Sequence, residues 1–142
     1  MLGVSEHAHG DGASLKAEIK AAGLEQNFKL WSDFVSMDTF YSYVKKADYI
    51  MPLIHADHDS GRTYRSQISG TYNLAFGFKK CLLMEEAYQE IEDFKDSAVF
   101  YPKSDLATFL KQLPPSPPKN LYQLPKWSFY YQADNYLKFL ES

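Results

Sequence analysis

Tyr49-Ile50-Met51-Pro52-Leu53-Ile54 is the stretch on which the fold turns. A strand with one wet face alternates apolar and polar side chains. A nearly continuous apolar run instead fits a strand covered on both faces, the usual condition in parallel sheets. Pro52 has no backbone N–H to give to a ladder, so the strand is expected to end or bulge there. Upstream, Ser36 is placed to cap a helix with Asp38 in its first turn and Lys45-Lys46 in its last, as the helix dipole favours. Met37, Phe40, Tyr41, Val44 and Ala47 give that helix its buried stripe. Phe28 to Trp31 is a short strand candidate. Before it, Ser14 starts a helix with Leu15, Ile19 and Ala22 on one face, and Gly23 ends it. Ser5 to Gly12 reads as a loop, and Met1 to Val4 as the end of a strand.

Downstream, a polar loop runs from His55 to Ser66. A helix from about Ser69 to Phe78 follows, then a strand from Cys81 to Met84 and another from Ala98 to Tyr101. Ser104 is placed to cap a helix from Asp105 to Leu113, with Leu106, Phe109, Leu110 and Leu113 facing inward. Pro114-Pro115-Ser116-Pro117-Pro118 stops it and makes a stiff linker. A last helix, about Lys126 to Leu140, carries Phe129, Ala133, Tyr136, Leu137 and Leu140. Strands and helices thus alternate about five times. The fold class expected is α/β, a Rossmann-like parallel sheet of four or five strands with helices on both faces and right-handed crossovers. Ligands in such sheets bind beyond the carboxyl ends of the strands, here the loops after Val4, Trp31, Ile54 and Met84.

The composition bounds the alternatives. A chain of 142 residues with 45% hydrophobic and 23% charged residues is an ordinary globular domain. A net charge of −3 argues against nucleic acid as a partner. The single cysteine, Cys81, cannot close an internal disulfide. No apolar run reaches the ~18 residues of a membrane span, and no basic-then-apolar leader opens the chain. The location expected is the cytoplasm, with room for peripheral contact at the inner face of the membrane. The aromatic content of 16% is high and concentrates after Pro118, in Leu121, Tyr122, Leu124, Trp127, Phe129, Tyr130 and Tyr131 and their surroundings.

The candidate chemistry gathers around Tyr64 to Leu83. Ser69-Gly70 opens a helix after a buried strand, and free N–H groups of a first turn suit a diphosphate. Arg65 and the hydroxyl of Thr71 are possible donors beside it. The plainer alternative is that Ser69 only caps the helix and Gly70 relieves packing. The string His55, Asp57, His58, Asp59 invites a metal reading, but it matches no defensible ligand motif and a solvated loop is favoured. Cys81, in a strand, reads as a small buried hydrophobe rather than a nucleophile.

In order along the chain, residues 1 to about 113 resemble the C-terminal, nucleotide-sugar donor-binding domain of retaining GT-B-fold glycosyltransferases of surface polysaccharide biosynthesis. Gly10-Asp11-Gly12, the segment Ser14 to Ile19 and Gly23-Leu24-Glu25-Gln26-Asn27 resemble the family's glycine loop, helix and turn. Ala47-Asp48-Tyr49 and Met51-Pro52-Leu53 resemble its central strand segment. Ala75, Gly77 and Lys79 to Leu83 resemble the next helix and strand, and Ala98 to Tyr101 with Asp105-Leu106 a later segment. Where the family often has two glutamates, this chain has Arg65 and Asn73.

The resemblance implies a donor-binding domain over 1–113, a Pro-rich linker over 114–125 and a C-terminal helix over 126–142 packing back on the domain. It also implies that the first βα unit is lacking. By its implication Arg65, Ser69, Gly70 and Thr71 bind the donor diphosphate, Asn73, Glu85 and Glu86 the ribose or sugar, and Phe34 and Val35 the base. Glu85 and Glu86 have a plainer reading as first-turn acids of a following helix. No metal or other cofactor is expected; the nucleotide-sugar is a substrate. The partners implied are that donor and an N-terminal acceptor domain in the same or another chain, with homodimerisation open. The isolated chain is expected to be inactive. The alternative is a non-catalytic Rossmann-like binding or interaction module.

Overall fold

The computed structural model describes residues 12–31, 33–57, 67 and 69–141. The chain divides into two compact units, Met1–Lys46 and Ala47–Ser142, so the boundary falls inside the stretch 1–113 expected to be one domain.

In the first unit, helix α1 spans Gly12–Ala21 and buries Ile19. It starts at Gly12, two residues ahead of the cap expected at Ser14. It ends in a left-handed Gly23 at φ 66°. The N–H of Leu24 bonds to the carbonyl of Ile19 and that of Gly23 to Lys20, which closes the last turn. Residues Phe28 to Trp31 form no strand: they pair with no strand among the described residues, and Trp31 instead meets Tyr43 edge-on at 5.0 Å. Helix α2 spans Met37–Lys46. The Ser36 hydroxyl accepts from the Thr39 N–H at 3.3 Å, the predicted cap, and Val44 is the buried anchor.

The second unit holds a three-stranded parallel sheet, β1 Tyr49–Ile50, β2 Cys81–Glu85 and β3 Ala98–Tyr101, in that spatial order. The fold is therefore α/β, with three strands among the described residues. Met1 to Val4, the expected first strand, lies outside them. β1 pairs over two residues only, Tyr49 with Cys81 and Ile50 with Leu82, because Pro52 follows at once. Helix α3, Gly70–Phe78, returns the chain to β2. The crossover from β2 to β3 contains no α-helix; it is a 3₁₀ turn at Glu86–Tyr88 followed by further turns.

β2 is buried at all five positions, which its apolar composition requires of a central strand. On one face Leu82, Met84 and Ala98 pack with Tyr72 and Ala75 of α3 and with Tyr88 and Phe94 of the crossover. On the other face Tyr101 meets Phe109 of helix α4, Leu106–Gln112, at 6.0 Å. The cap of α4 is Asp105, whose carboxylate accepts from Thr108 N–H, and not Ser104. Ser104 sits one residue earlier, within a 3₁₀ turn over Lys103–Asp105. Leu110, expected to face inward, is exposed.

The aromatic tail splits in two. Tyr122 is buried and donates its hydroxyl to the carbonyls of Lys80 at 2.6 Å and Ala75 at 3.2 Å. Trp127 packs against Tyr122 and Phe76, and its Nε1–H donates to Asp96 at 2.7 Å. Both close the amino end of the sheet. Helix α5, Phe129–Glu141, buries no side chain. Among the described residues no helix is long and apolar enough to cross a membrane.

Candidate functional site

Parallel strands put all their carboxyl ends on one edge, and the following loops converge there. α3 leads into the amino end of β2 through a left-handed Lys79, so its first turn points toward the carboxyl edge. Each strand delivers polar side chains to that edge. His55 and Asp57 follow β1, Glu85 ends β2, and Tyr101 and Lys103 stand at the end of β3.

Glu85 is the centre of the group. It is only 3% exposed, and its Oε2 lies 3.2 Å from Nδ1 of the half-buried His55. A carboxylate so far removed from water needs a donor, and the imidazole supplies it. Tyr101 is Glu85's register partner, so both side chains leave the sheet on the same face. The Tyr101 hydroxyl is buried and has no hydrogen-bond partner among the described residues. Burial first, and then the charge of Glu85, push its pKa above the usual phenol value. Lys103 pairs with Asp57 at the rim. The Asp57 hydrogen bond, and to a lesser degree the field of Glu85, hold the Lys103 ammonium above its ordinary pKa.

The helix start expected to bind a diphosphate is largely occupied by its own chain. Ser69 Oγ accepts from Thr71 N–H at 3.2 Å, and the Ser69 carbonyl accepts from Tyr72 and Asn73 N–H. Of the four first-turn donors, three are thus engaged in capping, the plainer of the two sequence readings for Ser69. Among the described residues a Cβ on Gly70 would meet nothing within 4 Å, so packing against them does not explain the glycine.

Other predicted residues divide between this edge and elsewhere. Asn73 is on an exposed position of α3. Glu85 is not a first-turn acid of a helix but the last residue of β2; Glu86, beside it, is exposed in the 3₁₀ turn. Arg65, His58 and Asp59 lie outside the described residues. Phe34 and Val35 belong to the first unit, where Phe34 is 99% exposed and Val35 half-buried. Cys81 is buried in β2, and burial pushes its thiol up to about 11, so it stays protonated at neutral pH. Among the described residues no group of three His, Cys, Asp or Glu side chains is placed to hold a metal ion.

His55 and Tyr101 were not singled out by the sequence as partners of Glu85. The signal available was topological: each lies at or just past the carboxyl end of a predicted strand. A separate open cavity of about 250 Å³ lies on the α4 face, lined by Tyr49, Val99, Phe109, Gln112, Leu113 and the prolines Pro114 and Pro118. None of the ionisable edge residues lines it. A mainly apolar hollow whose Tyr49 hydroxyl is already given to the Pro114 carbonyl offers a polar ligand little, so the edge cluster is the better candidate site. Comparison with known proteins finds no matching family model, no matching curated protein and no matching solved structure.

Proposed function

We propose that the chain binds a nucleoside diphosphate-sugar across the carboxyl edge of its sheet, as the donor half of a glycosyltransferase of the GT-B kind. The observation that carries this reading is the buried Glu85 carboxylate, held by His55 at the end of the central strand. A fixed carboxylate accepts hydrogen bonds from sugar hydroxyls, and its burial makes each of them stronger than in water. The diphosphate would lie over Gly70 and the Thr71 hydroxyl, with Arg65 as its cation. Asn73 and Glu86 are the remaining ribose or sugar contacts. The leaving diphosphate is then stabilised by fixed donors and a guanidinium without a metal. Transfer itself needs an N-terminal acceptor domain, in the same or another chain.

Chemical-shift mapping with UDP, GDP and their sugar conjugates tests the reading. Shifts are expected at Ser69, Gly70, Thr71, His55 and Glu85. Glu85→Gln should weaken the sugar conjugates and spare the free diphosphates, and Arg65→Ala should weaken both by about 1–3 kcal/mol. Shifts confined to the amino edge of the sheet would reject the site. The second reading, a non-catalytic interaction module, is favoured by the apolar surface of α5. It predicts that no sugar transfer appears when the chain is combined with an acceptor domain.

A further inference from the structure

We infer that α5 is a self-association helix, and that two copies of this chain pair through it in antiparallel orientation. The inference is independent of donor binding.

The helix buries none of its side chains within its own unit, yet its sequence is not that of a solvated helix. Phe129 is 80% and Tyr130 83% exposed, and Tyr136, Leu137, Phe139 and Leu140 are all more than half exposed. At 3.6 residues per turn, Phe129, Ala133, Tyr136 and Leu140 fall on one line, spaced four, three and four apart. That is the spacing of a seam between two helices. Tyr130 and Leu137 widen the stripe on one side, Phe139 on the other. Asp134 and Lys138, paired at 2.6 Å, sit on the far arc, and Glu141 lies at its border beside Tyr130. Contiguous apolar surface of this kind marks a contact site rather than scatter.

The seam is complementary to itself in one orientation. A two-fold axis between Asp134 and Asn135 sets Phe129 opposite Leu140 of the second copy, and the small Ala133 opposite the large Tyr136. Large then meets small in the two central layers, and Tyr130 comes against Leu137 on the flank. No charged residue falls on the central line of the seam. Exposed apolar surface of roughly 600 Å² per copy is available, which reaches the lower limit for a specific dimer. The charged arc sums to −1 on a chain of −3, so an anionic membrane surface is a poor occupant for the same face.

Sedimentation equilibrium on the full chain up to about 100 µM tests the proposal. A dimer is expected. Leu140→Asp and Ala133→Glu should each weaken it at least tenfold, while Asn135→Ala on the polar arc leaves it unchanged. Leu140 is exposed and Ala133 only partly covered in its own unit, so at concentrations where the wild type is monomeric these variants should unfold at the wild-type denaturant midpoint, which separates lost pairing from lost folding. Orientation is read by crosslinking. Chains carrying Phe129→Cys mixed with chains carrying Leu140→Cys should crosslink, and neither should do so alone; the native Cys81 is buried and does not compete. A monomer throughout, with or without binding to phosphatidylglycerol vesicles, overturns the proposal. So does a dimer that survives both seam variants, or crosslinking by either single variant alone.

Discussion

Glu85 and Tyr101 are register partners at the carboxyl ends of β2 and β3, so a buried carboxylate and a buried phenol leave the sheet side by side. The carboxylate has His55 to bond it; the phenol has no hydrogen-bond partner among the described residues. A buried donor left unmade costs about 1–3 kcal/mol, and replacing it by an apolar group of the same shape recovers part of that. Tyr101→Phe should therefore raise stability by about 1 kcal/mol in urea denaturation. The same variant should weaken a sugar conjugate that uses the hydroxyl. Loss of stability in Tyr101→Phe would mean that the hydroxyl is already satisfied.

At the other end of the sheet Tyr122 does the opposite work. Its hydroxyl serves the carbonyls of Lys80 and Ala75, its N–H serves Asp96 at 2.8 Å, and its backbone sits at φ 58°. Tyr122→Phe keeps the ring against Trp127 and removes the hydroxyl from the Lys80 carbonyl, while the Ala75 carbonyl keeps the Lys80 N–H at 2.8 Å. The expected loss is about 1–3 kcal/mol. An unchanged denaturation midpoint would show that the Lys80 carbonyl finds another donor.

Stability should fall at alkaline pH. Burial holds the protonated forms of Cys81, Tyr101 and Tyr122, so all three pKa values lie above their ordinary ones. For Cys81 the unfolded thiol ionises near 9.0 and the folded one at about 11. Between these values the unfolded state binds fewer protons than the folded state, and stability decreases as pH rises. The contribution is fully present below about pH 9 and is lost progressively toward pH 11; for Cys81 alone it is of the order of 2–3 kcal/mol. Cys81→Ala should make the decline between those pH values shallower. A flat profile from pH 8 to 11 would contradict the assignment.

The elements that the sequence made legible are those whose local signals agree with their burial. β2 and β3 are short apolar runs between turn residues, and both form within a residue of expectation. Ser36, Ser69 and Gly23 act as the caps their chemistry suggests. Other signals were local and lost to tertiary context. Phe28 to Trp31 has strand composition, but a strand needs a neighbour, and Trp31 found Tyr43 instead. Asp105 took the cap from Ser104 because the preceding 3₁₀ turn shifted the helix start by one residue.

The candidate site was half legible. Glu85 was marked by its place after a strand. Its pairing with His55, 30 residues away, depends on how β1 and β2 are registered, and no local pattern carries that information. The tail misled in another way. Its aromatics look alike in sequence, yet Tyr122 and Trp127 have hydrogen bonds to make at the sheet and are drawn in, while Phe129 and Tyr130 have none and stay out.

The bolt formed by Tyr122 and Trp127 also sets an order of assembly during synthesis. The sheet is complete in sequence once Tyr101 has left the ribosome, but the Lys80 and Asp96 carbonyls receive the hydroxyl and N–H of Tyr122 only some twenty residues later. At ordinary elongation rates of about 5–20 residues per second the nascent chain carries an open amino edge for on the order of a second. Nascent chains arrested soon after Tyr101 should be cut readily by protease near that edge, and chains arrested with Trp127 clear of the exit tunnel should resist it.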